Sequence, residues 1–575
     1  VGSVGGGLWK TKNAKSGNSI NWISKSDELA TDIKWICVDI KDNTYNRLVA
    51  VTGSSTSYGK ANNCDGSILT SIDKGETWIR KFVKTGINKE DLDMNAVVCW
   101  GDNILVADHR FGLPYNYQSI GFSKAGLYLS TDFGNTWTHN FKEDYSATTV
   151  DICLHNDNTV TLFAGILKQG IYKSTDNAST WTDISTGTTF ASNIVATTNN
   201  NLLITTFKDI TKEKDSQILY TIIVNNGQPA KIAYSTTSGT TWDSMTLPMT
   251  KDTYGNSHYL HPTTKKDGTP KTSFKTGSQG AIHLSLFVDP NNSNLVYAGG
   301  DRQPTLRSGN LMQATNWTAR LFRGDRTKST TLTSEGYSEQ WSHITHTNNI
   351  TDTKYGGLVN GGTSNSSSPH ADSRHMTMNS IGELIECNDG GIYKLTDPTG
   401  KNGVWLSLIG NLCVFEVHSV GYDNINNKVL VGLQDNANVF GNMTSSQCVT
   451  SGDGGDILIG YKNLDPVYYL SAQYGMNFYK YYGGFNYSGF NYISWLYDRM
   501  YFTPVTAINI LNADKFACVT KRPSAGICIS DTNININNNT KVINESLYDS
   551  EHVFKLLYGH KNDSTSLFFS SKSFI

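Results

Sequence analysis

One eight-residue phrase recurs along the chain. Ser71-Ile72-Asp73-Lys74-Gly75-Glu76-Thr77-Trp78 is matched by Ser130-Thr131-Asp132-Phe133-Gly134-Asn135-Thr136-Trp137. A third copy, 174–181, keeps Asp176 and Trp181 but carries Ala178 at the glycine position. A fourth, 235–242, keeps Gly239 and Trp242 and has Thr237 in place of the aspartate. Each residue type has a physical task. A short Asp side chain accepts hydrogen bonds from N–H groups of its own turn. Gly takes positive φ at little cost. Trp buries a large ring and leaves an indole N–H for a partner. The phrase predicts a stapled hairpin turn, and its recurrence every roughly 40–60 residues predicts a solenoid or a propeller.

The phrase is that of the Asp-box, or bacterial neuraminidase repeat, and the chain resembles the Asp-box β-propellers: sialidases, xyloglucan-cleaving hydrolases and sortilin-type receptor domains. The resemblance implies an all-β propeller of four-stranded blades. It places the phrase between the two outer strands of a blade, away from substrate, so Asp73, Trp78, Asp132, Trp137, Asp176, Trp181 and Trp242 carry architecture. Read as strand, turn, strand and outer hairpin, blades cover 33–84, 94–142, 147–184, 190–247, 280–322, 370–410, 415–452, 454–485 and 502–547. The 280–322 blade is degenerate but keeps Trp317. The N-terminal segment to Trp22 reads as a hairpin lacking inner strands, and 556–569 as inner strands lacking a hairpin. Joined, they make about ten blades in one ring spanning 1–575, closed by both termini, which would remove an open sheet edge. Two smaller propellers are the alternative. The polar stretches 251–279 and 324–369 read as long insertion loops.

Composition narrows the function. Charged residues make up 17% and the net charge is −2. There is no Lys/Arg block, which argues against a nucleic-acid surface. No apolar run reaches the length of a membrane span. The chain opens at Val1 on a strand-like segment, which suggests processing of the N-terminus. Sequons at Asn177, Asn316, Asn349, Asn442, Asn486 and Asn544 are acceptors only where a host glycosylates. Together these readings place the protein outside the cell or on a surface. Nine cysteines show no metal-binding spacing. Cys37, Cys99 and Cys153 share a register, one equivalent strand position in successive blades. Cys518 and Cys528 flank a turn and are placed to form a cross-strand disulfide.

The segment 370–475 holds the candidate chemistry. It contains His370-Ala371-Asp372-Ser373-Arg374-His375, Asp389-Gly390-Gly391-Ile392-Tyr393, Gln434-Asp435-Asn436, Asp453-Gly454-Gly455-Asp456 and Gln473-Tyr474. This order resembles a broad set of mostly secreted bacterial Asp-box proteins labelled glycosyl hydrolase. Glycoside hydrolysis needs two carboxyl groups, and Asp372, Asp389, Asp435 and Asp453 are the candidates. Asp389-Gly390-Gly391-Ile392-Tyr393 is similar to the catalytic Asp phrase of the xyloglucan-cleaving family, with the glycine pair shifted by one. His370, His375, Asn436 and Tyr474 are candidate binding residues. His370, Asp372 and His375 are also a candidate metal set, and Asp453 with Asp456 a candidate Ca²⁺ set. The sialidase Arg-Ile-Pro phrase is absent. Thirteen aromatic residues between Tyr474 and Phe502 offer sugar-stacking rings or a blade core.

Two function classes remain. One is an extracellular or surface-displayed binding or assembly module that recognises a glycan or a protein. The other is a glycoside hydrolase using paired aspartates. Convergent carboxyls about 5–10 Å apart in a cleft favour the enzyme. Carboxyls held by their own turns favour the binding module.

Overall fold

In a computed structural model of the chain, the repeated phrase closes a tight turn between the third and fourth strands of a sheet. At 71–78, Ser71 Oγ accepts from Gly75 N at 2.9 Å, and Asp73 accepts from Thr77 N at 2.9 Å and Thr77 Oγ1 at 2.6 Å. Gly75 sits at φ 74°, where a side chain is disfavoured. The 130–137 copy repeats this, with Thr136 N donating to Asp132 at 2.8 Å. So does 174–181, where Ala178 accepts φ 67°. In the fourth copy the Thr237 hydroxyl replaces the carboxylate and accepts from Thr241 N at 2.8 Å.

The structure describes residues 1–14, 20–30, 32–53, 66–85, 88–89, 92–109, 125–251, 256–262, 279–303, 314, 318–334, 336–349, 361–412, 414–442, 446–450, 452–475, 479–482, 490–492, 500, 504–509, 511–520, 526–530, 540–543, 553–560 and 563–571. Among these the chain forms two compact units, Val1–Val414 and Phe415–Ile575. The fold is all-β apart from short helical turns such as Ala191–Ile194. Antiparallel four-stranded sheets follow one another as the blades of a β-propeller.

In the first unit, the sheets begin at Ile33, Met94, Ala147, Asn199, Ser285 and Ser373, and their first strands lie side by side in sequence order. Apolar faces meet between sheets. Val98, Trp100 and Leu105 pack on Ile152, Leu162 and Ala164 in one such layer. A central strand covered on both faces, such as Val160–Ile166, is buried at every position. Cys37, Cys99 and Cys153 each stand one residue before the end of a first strand, and all three thiols are free. The sheet starting at Ser285 takes its fourth strand, Trp341–His343, from inside the stretch read as an insertion loop. Trp317 lies outside the described residues.

A tryptophan latch links neighbouring sheets. Trp242 Nε1 donates to Ile184 O, Trp341 to Thr246 O and Trp405 to Ile344 O, each acceptor just past the outer strand of the preceding sheet. Trp22 continues the series by donating to Leu408 O at 2.9 Å. Ile20 and Trp22 bury themselves against Ile392, Leu408 and Leu412, while Leu8 packs on Ile33, Ala50 and Leu69. The N-terminal strands thus join the last sheet of this unit to the first. This corrects the expected pairing of 566–570 with the strand that carries Leu8 and Trp9. The strand Gly7–Lys10, which carries Leu8 and Trp9, has Gly2–Ser3 on one edge and Ile23–Ser24 on the other, leaving no edge for 566–570.

In the second unit, four-stranded sheets begin at Val417 and Gly454, and a six-stranded sheet contains Thr506–Asn509 through Asp563–Ser571. Cys518 and Cys528 oppose each other in register. Much of the aromatic stretch lies outside the described residues. Tyr479 and Tyr481 contribute to the sheet core beside Leu430 and Tyr468.

Candidate functional site

The sheets starting at Ser285 and Ser373 meet closely. Ser285 Oγ and Ser373 Oγ are hydrogen-bonded at 2.6 Å. Gly299 makes the approach possible, since a Cβ there would fall 2.4 Å from Ser373 Oγ and 2.5 Å from Ser285 Oγ. At this junction first strands begin and second strands end. His283 precedes the strand Ser285–Val288, and Asp372 immediately precedes Ser373–Met378. Asp301 is the last residue but one of the strand Leu295–Arg302, and Asp389 immediately follows Leu384–Asn388. One end of two neighbouring blades thereby gathers three aspartates around one imidazole.

His283 Nδ1 lies 3.1 Å from Asp372 Oδ1 and 3.8 Å from Asp301 Oδ1, and its Nε2 lies 3.6 Å from Asp389 Oδ2. Arg374 grips Asp389 with two parallel bonds, Nε to Oδ1 at 2.6 Å and Nη2 to Oδ2 at 2.9 Å. A β-bulge supplies that arginine. Ser373 pairs with Asn388 and His375 with Cys387, so Arg374 is the extra residue and is turned toward the carboxylate. The cluster is largely withdrawn from water. Side-chain exposure is 1% for His283, 5% for Asp301 and 14% for Asp372 and Asp389.

Burial disfavours every charge here, and the partners decide which charges persist. Burial pulls the His283 pKa down, but Asp372 and Asp301 outweigh it and raise it above the usual imidazole range. Burial raises Asp372, helped by the neighbouring Asp301. Asp301 stays low despite burial because His283 and Asp372 both bond to it. Arg374 and His283 hold Asp389 low in the same way. Behind it, Glu386 is fully buried and is pushed up to about 8 by that burial.

Of the residues singled out in the sequence, Asp372 and Asp389 come together here. His370 packs beside Gly390, next to Asp389 in the chain. His375 points elsewhere: its ring stands edge-on to Trp35 at 4.6 Å, and packing there pushes its pKa down to about 4. This corrects the His370–Asp372–His375 metal set. Strand alternation sends His375 to the opposite side from Arg374. His283 and Asp301 escaped the sequence reading. Their signal was positional, since Asp301 lies near the end of its second strand much as Asp389 follows its own.

Asp435 and Asp453 belong to the second unit. There Asp453 Oδ1 accepts from Asp435 N at 2.9 Å and Gln434 Nε2 at 2.8 Å, and Asp453 N donates to Gln473 Oε1. Asn436 donates to Gln434 O, and Tyr474 O accepts from Met500 N in a turn where Tyr474 sits at φ 58°. Asp456 accepts from Ser419 Oγ and the Thr506 N–H. The expected Ca²⁺ pair is therefore corrected: its oxygens already accept from separate donors. Among the described residues, the metal-capable group is His283, Asp301 and Asp372, whose ligand atoms all lie within 4.8 Å of one another.

No protein-family model matches the chain, and no curated protein matches it in sequence. Among solved structures it is similar to a GH74 xyloglucanase from Xanthomonas campestris, at 12% identity over 96% of this chain and 76% of that one, with a TM-score of 0.56. It is also similar to an ancestral GH74 enzyme, at 14% identity over 99% of this chain and 71% of that one, with a TM-score of 0.53. At these identities the likeness is one of fold. No helix among the described residues is long and apolar enough to cross a membrane.

Proposed function

We propose that the protein is an extracellular or surface-displayed propeller module that recognises a glycan or a protein partner and does not hydrolyse it. The observation that supports this reading most is the state of the candidate carboxylates. Asp389 is spent on Arg374, Asp372 faces His283, and Asp453 is held by a backbone N–H and a side-chain amide. A hydrolase needs one carboxyl free to protonate a leaving group and a second free to act as base or nucleophile. A scaffold needs its blade ends held rigid so that the loops there keep one arrangement. The second-to-third-strand connections emerge at the same end as the cluster, and those at 53–66, 109–125 and 303–318 are long in the sequence.

The glycoside-hydrolase reading keeps one specific support, the convergence of Asp301, Asp372 and Asp389 on two neighbouring blades. A glycan array run beside a polysaccharide-hydrolysis screen separates the two. Binding without turnover is the expected result. Turnover by the wild type that vanishes in a folded Asp389→Asn variant would establish the hydrolase instead.

A further inference from the structure

We propose that His283, Asp301 and Asp372 form a binding site for a divalent transition-metal ion of the Zn²⁺ class. Three separate chain segments bring one nitrogen and two carboxylate oxygens to a single point, all within 4.8 Å of one another. Around a tetrahedral zinc with bonds of about 2.0–2.2 Å, neighbouring ligand atoms lie ~3.3–3.5 Å apart. The distances of His283 Nδ1 from Asp372 Oδ1 and Asp301 Oδ1, 3.1 and 3.8 Å, bracket that edge. These two edges need shifts of a few tenths of an ångström to seat an ion, and the third, between the two carboxylates, closes from within 4.8 Å.

A second observation is independent of those three atoms. A metal-ligating histidine characteristically turns its other ring nitrogen to a carboxylate that fixes its tautomer. His283 Nε2 faces Asp389 Oδ2 at 3.6 Å, and Asp389 is itself fixed by two bonds from Arg374. With Nε2–H directed at Asp389, the Nδ1 lone pair points at two more carboxylates. Only protons or a cation can stand among three such acceptor atoms. Asp372 Oδ1 is shut off from solvent and has no aligned hydrogen-bond donor. Asp301 Oδ1 is oriented by the Arg302 N–H at 2.9 Å, as ligating carboxylates commonly are.

The donor set selects the metal class. One imidazole and two carboxylates suit Zn²⁺ or Mn²⁺, whereas Ca²⁺ takes six to eight oxygen ligands. Three protein ligands leave one position open. Asp372 is the most exposed of the three side chains, at 14%. The proposal is independent of what the module recognises, and a failed glycan screen leaves it standing.

Calorimetric titration of chelator-treated full-length protein with Zn²⁺, Mn²⁺ and Ca²⁺ tests it, with thermal melts alongside. One equivalent of Zn²⁺ per chain is expected, bound more tightly than Ca²⁺, with a rise in melting temperature. Asp301→Asn, which keeps the side chain's size, should weaken Zn²⁺ binding at least about tenfold and abolish the rise. Asp389→Asn should weaken it about tenfold through the imidazole, which keeps the site readable should Asp301→Asn fail to fold. Asp176→Asn, at a turn carboxylate, should leave Zn²⁺ affinity and the Zn²⁺-induced rise in melting temperature unchanged. Failure of the wild type to bind Zn²⁺, a preference for Ca²⁺, or equal binding by wild type and a folded Asp301→Asn variant would each overturn the assignment.

Discussion

The turn aspartates and the blade-end aspartates are the same residue type under opposite regimes. Asp73, Asp132 and Asp176 draw their hydrogen bonds from donors no more than four residues away, such as Thr77, Thr136 and Thr180. They remain open to water, and hydrogen bonds from the Thr77 hydroxyl and N–H, joined by the Ser71 hydroxyl, hold Asp73 down to about 2. Asp389 lies buried and depends on a guanidinium fifteen residues away across a bulge, while Asp372 depends on a histidine in the neighbouring sheet. The first regime builds a turn from a local phrase. The second exists only after two blades have docked, and it concentrates charge where water cannot screen it. Architecture therefore sits in the repeats, and candidate chemistry sits where the repeats are joined.

The comparison predicts unequal costs. Arg374→Ala would leave Asp389 buried without its cation, and removing one partner of a buried pair costs about 3–5 kcal/mol. Chemical denaturation should show that loss, and Asp389→Asn in the same background should recover part of it. A cost below about 1 kcal/mol would reduce the cluster to the level of a surface ion pair.

Acid and alkali should separate the two regions next. Glu386 behind the cluster has its pKa pushed up from 4.5 to about 8 by burial. Below the unfolded value both states are protonated. As pH rises toward 8 the unfolded chain ionises while the folded one keeps its proton, so this group's contribution falls with rising pH. The turn carboxylates run the other way. Asp73, held at about 2 against 3.8, loses its contribution as pH drops through that window. Glu386→Gln should therefore remove part of the fall in melting temperature between pH 5 and 8, shared with buried Asp372, and leave the acid limb intact. An unchanged alkaline limb would show that Glu386 is not the group responsible.

The same contrast explains what could be read from the chain. A turn is legible because its donors and acceptors are sequence neighbours, so the Asp–Thr spacing already contains the geometry. The blade end was half legible. Asp389 stood out beside its glycine pair and Asp372 within the 370–375 phrase, but His375 was grouped with Asp372 by proximity alone, and the bulge at Arg374 turns it away. His283 and Asp301 had no local phrase, because their partners belong to another sheet. The expected partner of the N-terminal strands was misplaced for the same reason. The Trp22 partner, Leu408, is 386 residues distant, and nothing around Trp22 encodes it. The fourth strand Trp341–His343 was hidden by the polar stretch before it, which reads as loop.

A smaller effect tests the turns themselves. Asp132→Ala removes the acceptor of the Asn135 and Thr136 N–H groups, a loss similar to that of a helix-capping side chain and worth about 1 kcal/mol. Ligand binding should be unchanged. Lost binding at unchanged stability would move this turn from architecture to function.

The smallest effect comes from completing the weakest copy. Thr237 occupies the aspartate position of the fourth turn, and its hydroxyl already meets Thr241 N at 2.8 Å and Thr241 Oγ1 at 2.8 Å. One neutral oxygen there performs what two carboxylate oxygens perform in the other copies. Thr237→Asp would give each donor its own anionic acceptor, and charge-assisted bonds are the stronger kind. The Ser235 Oγ to Gly239 N bond at 2.9 Å already holds the rest of the turn in the geometry of its siblings, so little backbone movement is needed. The expected gain is about 0.5 kcal/mol, below the capping figure because a functioning acceptor is being improved rather than created. Paired denaturation curves of wild type and variant measure it. A loss of stability would mean that the fourth turn has settled on threonine for reasons of its own packing, and that the four copies are not physically equivalent.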